Sequence, residues 1–275
     1  MCELFAMSAR WPAAVSFSLE EFSRHGGLSG PHKDGWGIAF YENRDARIIR
    51  ESIPAASSAL ERFLERQPIQ SNIVLSHIRL ATQGDVALSN TQPFSRELGG
   101  RLHVFTHNGH LDVTGLNDAA LGRFRPLGET DSERAFCNLL KRLEPLWLGE
   151  EKAPTLKSRG EVLESFAEDL RELGIANFMY SDGELLFAHS HRRPQADGGI
   201  RPPGLHFLCR RCAEEPGTDF ETTGLTVSSE GTDQTVVLIA SVPLTDEGWA
   251  PLGAGETLTV VGGEILQRTT AGKRE

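Results

Sequence analysis

With 275 residues, 39% hydrophobic and 24% charged, the chain can bury a sizeable core, so one large layered domain over residues 1–275 is expected and disorder need not be invoked. A formal net charge of −10 disfavours a polyanion groove or an anionic membrane surface, so neither nucleic acid nor a membrane is an expected partner. No apolar run approaches the ~18 residues of a bilayer span, Glu3 stands where a secretory leader would be basic, and four cysteines suit a reducing cytoplasm better than a disulfide framework.

Taken in chain order, a first strand begins almost at the terminus, over residues 3–9, and leaves Cys2 at a strand's edge. Ser18 with Glu21, and Ser58 with Glu61, have capping-box spacing and predict short helices near 18–25 and 58–66. Runs rich in Ile, Val or Phe predict strands at 37–41, 47–51, 72–79 and 103–107. Thr130 with Glu133 caps a further helix, whose apolar face carries Ala135, Phe136, Leu139, Leu140 and Leu143. Another is expected over 160–173, with Gly174 as its stop. Asp182-Gly183 predicts a hairpin between 177–181 and 184–189, and strands follow at 205–209, 235–241 and 256–261. Residues 192–204 and 213–224 read as loops, and the pairs Arg192-Arg193 and Arg210-Arg211 as solvated surface. Strands, then two helices, then strands predict two sheets with helices stacked outside.

Removal of Met1 is expected before a residue as small as Cys, and it would place a thiol and a free α-amine on Cys2. An α-amine titrates near ~7.7–8.0 and a thiol near ~8.5, so at neutral pH the amine can take the thiol proton and no histidine is required. By itself a small residue after a start methionine is also unremarkable. Arg79 closes an apolar strand, with Thr82 three residues later, and its planar guanidinium matches a carboxylate; read alone, it is also a surface ion-pair former. His107-Asn108-Gly109 ends another strand and can aim the Asn108 amide and the Gly109 N–H at one point, an oxyanion hole in outline, although Asn-Gly also serves in plain turns. Asp131, in the first turn of the Thr130-capped helix, can bind an ammonium or simply complement the helix dipole. Together Arg79 and Asp131 would read the two backbone charges of a free amino acid and leave its side-chain amide to reach Cys2 and Asn108. Glutamine satisfies that geometry.

Cys2 after Met1, Asp34-Gly35-Trp36-Gly37, Arg79-Leu80-Ala81-Thr82-Gln83-Gly84, His107-Asn108-Gly109 and Thr130-Asp131-Ser132-Glu133 occur in the order seen in class II glutamine amidotransferases. The chain resembles that family, its stand-alone bacterial members most of all, and is similar also to the γ-glutamyl hydrolase of ergothioneine assembly. The resemblance implies an α+β fold, the four-layer αββα sandwich of N-terminal nucleophile hydrolases, with two antiparallel sheets between helical layers. It also implies Cys2 as nucleophile, Asn108 and Gly109 as oxyanion donors, Arg79 with Thr82 at the substrate carboxylate, and Asp131 at the substrate ammonium.

One departure concerns Asn90-Thr91-Gln92-Pro93, where many relatives have His in place of Gln92, so an amide stands in for a supporting imidazole. Larger relatives carry a fused synthase that uses the released ammonia. A chain of 275 residues leaves no room for one, so a separate ammonia-accepting synthase is the expected partner if glutamine is the substrate. A dedicated γ-glutamyl amide hydrolase and a catalytically silent binding module are the other readings. Cys209 and Cys212, with His189, His191 or His206, form the one candidate metal set. It lacks the second matched pair of structural zinc, so neither metal nor cofactor is expected.

Overall fold

The computed structural model describes residues 1–17, 32–67, 69–149, 153–211, 220–222, 225–229 and 233–270. The helix expected near 18–25 and Cys212 lie outside them, as does most of 213–224. The first half runs β1 (Glu3–Phe17), β2 (Trp36–Glu42), β3 (Asp45–Glu51), α1 (Ala59–Arg66), β4 (Gln70–Ile78), β5 (Phe94–Leu98) and β6 (Arg101–Leu111). Three helices follow, α2 (Asp118–Leu121), α3 (Asp131–Trp147) and α4 (Leu156–Leu173), then β7 (Gly174–Ser181) and β8 (Leu186–Ser190). The remainder is strand: β9 (Arg193–Pro194), β10 (Ile200–Arg201), β11 (His206–Arg211), β12 (Phe220–Thr222), β13 (Leu225–Ser229), β14 (Thr235–Ala240), β15 (Ala250–Pro251), β16 (Glu256–Val261) and β17 (Glu264–Thr269).

Among the described residues the strands form two large antiparallel sheets, apart from the separate β9–β10 pair. One has the order β15-β11-β14-β1-β4-β2-β3, with β12 and β13 joined to β1; the other has the order β17-β16-β8-β7-β6-β5. Alternation along β1 sends Leu4 and Ala6 into the space between the sheets, where Leu75, Val104, Met179 and Leu186 meet them, while Phe5 and Met7 point outward. The outward residues pack with Phe40, Trp249 and Leu64 of α1. On the far side α3 and α4 cover the second sheet, and Phe105 stacks on Phe136 at 5.3 Å while Phe166 meets Phe178 edge-on at 5.4 Å. Each buried phenyl contributes about 1.5–3 kcal/mol over an exposed one. The result is the αββα sandwich of the N-terminal nucleophile hydrolases.

The helix starts follow local chemistry. Ser58 and Thr130 accept hydrogen bonds from the N–H groups of Glu61 and Glu133, as their spacing predicts. The helix expected from 160 begins instead at Leu156, because the Thr155 side chain accepts from Ser158 N. Ser at that position does not complete a Ser/Thr-to-Glu box, so the spacing rule passes over it. The stretch 192–204, read as a loop, carries the small β9–β10 hairpin, residues 220–222 of the other expected loop form β12, and β5, β13, β15 and β17 fall where the sequence predicts no strand. Arg210, read as solvated surface, is buried and paired with Glu247.

Arg159, on the inner face of α4, is fully buried and donates to Asp182 at 2.7 Å and to Glu184 at 2.8 Å, in the hairpin between β7 and β8. Its removal strands the buried Asp182 carboxylate. Arg159→Met is therefore expected to lower stability by about 3–5 kcal/mol, read from the midpoint shift in urea denaturation.

Candidate active site

Cys2 immediately precedes β1, and Glu3 pairs with Ile78, so the first strand delivers Cys2 to the end of β4 where Arg79 and Leu80 emerge. The Cys2 thiol lies 3.3 Å from the Leu80 N–H, which donates to it, and 3.5 Å from the Leu80 carbonyl. Burial raises the thiol pKa above its ordinary range, against opposing pulls from the Leu80 amide, the Met1 ammonium and Arg79. The sulfur is thus a protonated thiol at neutral pH and needs a base to become a nucleophile.

Asp34-Gly35-Trp36-Gly37 builds the wall beside it. Asp34 accepts from Ala81 N at 2.8 Å, and the Gly35 carbonyl accepts from Arg79 N at 2.8 Å, which pins both sides of Leu80. Gly37 admits the neighbouring 90–93 segment, since a Cβ there would stand 2.3 Å from the Gln92 carbonyl.

The Arg79 side chain is 3% exposed and turns into its own loop, donating to the carbonyls of Asp85 at 2.9 Å and of Gln83 and Gly84 at 3.1 Å. Its five N–H groups exceed these three acceptors. Thr82, expected beside Arg79 at a carboxylate, is exposed on that loop.

Asn108 is buried on β6 and donates to the Cys2 carbonyl at 2.5 Å, which joins two residues 106 positions apart. Its own carbonyl accepts from the Asn177 amide at 3.1 Å. The opposite edge of β6 is free of β5 beyond Phe105 and is held by side chains instead. The Gln92 amide makes a paired contact with the His107 peptide, accepting from its N–H at 2.6 Å and donating to its carbonyl at 3.1 Å. Two peptide steps beyond Gly109, Leu111 N donates to Asp131 at 2.7 Å. Alternate residues of a strand present their N–H groups to one edge, so the Gly109 N–H points between the Gln92 and Asp131 clamps. Gly109 has no room for a side chain: a Cβ would lie 1.7 Å from the Ile175 carbonyl.

Asp131 sits in the first turn of α3, buried, with its other oxygen accepting from Ser132 N at 2.8 Å. His107 Nε2 faces the Ile175 carbonyl at 3.1 Å, so that nitrogen carries the proton and Nδ1 accepts from Ser132 Oγ at 2.8 Å. Burial lowers the His107 pKa, with Asp131 opposing. His77 is pushed down to about 3 by burial and by the nearby charges of Arg79, His107 and His32, which makes it a very weak base.

Five of the six sequence-derived site residues therefore converge on one end of the sandwich, and Thr82 lies at its rim. Sequence reading named Asn90, Gln92 and Ser132 only as motif members, without their contacts, and missed Asn177. Among the described residues no group of three or more His, Cys, Asp and Glu is arranged to hold a metal ion. Cys209 is exposed on β11. No helix among them is long and apolar enough to cross a membrane.

A sequence profile of the family described as glutamine amidotransferases class-II matches residues 1–275. The chain belongs to the class II glutamine amidotransferases. It is 38% identical to the Escherichia coli K12 protein YafJ over 260 residues, which cover 93% of this chain and 96% of YafJ. It is also 34% identical over 273 residues to protein MJ1515 of Methanocaldococcus jannaschii, covering 97% of this chain and 71% of that relative. Among solved structures it is similar to a Pseudomonas aeruginosa PA01 protein predicted to be a glutamine amidotransferase, at 37% identity and a TM-score of 0.71, covering 97% of this chain and all of the other. The glutamine phosphoribosylpyrophosphate amidotransferase of B. subtilis shares the fold, at 15% identity and a TM-score of 0.61. It covers 98% of this chain, which spans 49% of that structure.

Proposed function

We propose that this class II glutamine amidotransferase hydrolyses the side-chain amide of glutamine or of a γ-glutamyl compound, with Cys2 as nucleophile once Met1 is removed. The observation that carries the reading is that Cys2 joins the ends of β4 and β6: its thiol accepts from Leu80 N, the residue after Arg79, at 3.3 Å, and the Asn108 amide reaches its carbonyl at 2.5 Å.

In this reading the freed α-amine takes the thiol proton while sulfur bonds to the amide carbon, and the carbonyl oxygen becomes an oxyanion held by Asn108 Nδ2 and the Gly109 N–H. Collapse breaks the carbon–nitrogen bond, and the departing ammonia or amine takes the proton from the ammonium. Water then cleaves the glutamyl thioester, returning the thiol and releasing glutamate. Arg79 and Asp131 hold the carboxylate and ammonium of the glutamyl group, with Thr82 closing on the carboxylate from the rim. Where glutamine is the substrate, a separate synthase takes up the ammonia.

A silent binding module would be favoured by a broken oxyanion strand. Gln92 instead grips the peptide preceding Asn108 through both amide atoms, which supports the hydrolase. The test is glutamate release from glutamine and a panel of γ-glutamyl amides, with Cys2→Ala as the control for contaminating activity. Binding without release in the intact protein would refute the reading.

The pH profile tests the identity of the base. A protonated amine cannot accept the thiol proton, and burial pushes the thiol pKa up rather than down. The value of kcat/KM is therefore expected to rise with pH and to reach half its plateau at about pH 7.7–8.0. A profile flat from pH 6 to 9 would exclude the α-amine.

A further inference from the structure

We infer that Asn90 and Gln92 are positioning residues that divide the work of the site, Asn90 setting the grip on the substrate headgroup and Gln92 setting the oxyanion strand. This rests on the hydrolase reading above. Asn90 is 2% exposed and spends its amide on two different loops. Its Nδ2 donates to the Asp85 carbonyl at 3.0 Å, the same carbonyl that receives Arg79 Nη1 at 2.9 Å. Its Oδ1 accepts from Glu129 N at 2.8 Å, one residue before the Thr130 cap and two before Asp131. One side chain thereby spans the loop that orients Arg79 and the loop that launches Asp131, the two groups assigned to the carboxylate and the ammonium.

Gln92, two residues on and 4% exposed, makes its side-chain hydrogen bonds to His107 and not to either loop. Its amide substitutes for a strand partner at His107, the residue before Asn108 and Gly109. Between them Thr91 fixes the segment, its carbonyl accepting from Arg50 at 2.8 Å and its hydroxyl donating to the Ala87 carbonyl at 2.9 Å. A buried amide that donates on one side and accepts on the other cannot be replaced by a carboxylate without losing a bond, and a shift of about 1 Å in a reacting group is enough to slow turnover about 10²-fold.

The two isosteric variants separate these roles. In glutamate-release assays Asn90→Asp is expected to raise KM about tenfold or more with kcat within about twofold. Gln92→Glu keeps only the bond from His107 N, and is expected to lower kcat about tenfold or more with KM within about twofold. The same pattern in both variants, or no change in either, overturns the inference, because a merely structural role gives no such split. If the wild-type protein releases glutamate from no amide, the hydrolase reading fails on its own, and calorimetric binding of L-glutamate decides the headgroup assignment. Affinity weakened about tenfold in Asn90→Asp and unchanged in Gln92→Glu supports it; equal affinities, or no binding by the wild type, overturn it.

Discussion

Replacing Cys2 by Ala is expected to abolish glutamate release, by about 10⁴-fold or more, with no loss of fold. Cys2 stands before β1 and is only partly buried, so losing the sulfur costs little packing, and denaturation midpoints should stay close to wild type. Cys2→Ser keeps an oxygen at the position but not the reactivity. A hydroxyl is a far weaker nucleophile at neutral pH, and its activity is expected to be barely above the Ala variant. The terminal nitrogen gives a second handle on the same step. A chain that retains Met1 has a peptide nitrogen at Cys2, which is no base, so mass spectrometry of active and inactive fractions should divide them by one methionine. Full activity in Cys2→Ala, or in protein carrying Met1, would refute the mechanism.

The second large effect is expected at Asn108. Its Nδ2 already reaches the Cys2 carbonyl, and it is the side-chain donor assigned to the oxyanion. Asn108→Ala removes the side-chain donor assigned to the oxyanion together with its bond to the Cys2 carbonyl, so kcat is expected to fall about 10²–10³-fold or more while KM changes little. Steady-state kinetics on the best amide substrate reads both constants. A rise in KM with kcat preserved would move Asn108 from the oxyanion to the headgroup.

Much of this site was legible in the sequence because its residues sit in recurrent local settings: an Arg closing a strand, an Asn-Gly ending one, an Asp after a helix cap. The layered fold was legible for the same reason, since capping at Ser58 and Thr130 and the Asp182-Gly183 turn are short-range signals. The start of α4 escaped because Thr155 caps with Ser158 rather than with a Glu three residues on. β5 and β17 escaped because FSREL and EILQRT mix polar and apolar residues without clear alternation. Gln92 was legible only as a departure from the usual His; its grip on the His107 peptide is made across 15 residues to a backbone that leaves no trace in side-chain pattern. The same holds for Asn90, whose two acceptor and donor partners lie 5 residues before it and 39 after.

The strand that carries Cys2 pairs with β4 on one side and with β14 on the other, Phe5 opposite Ala240 and Ala9 opposite Val236. During synthesis one flank of that strand stays unpaired until residue 240 has left the ribosome, so the sheet that frames the thiol cannot close on a growing chain. Topology thus leaves the end that carries Cys2 on an open sheet edge for most of the chain's synthesis, and closure of that edge comes late.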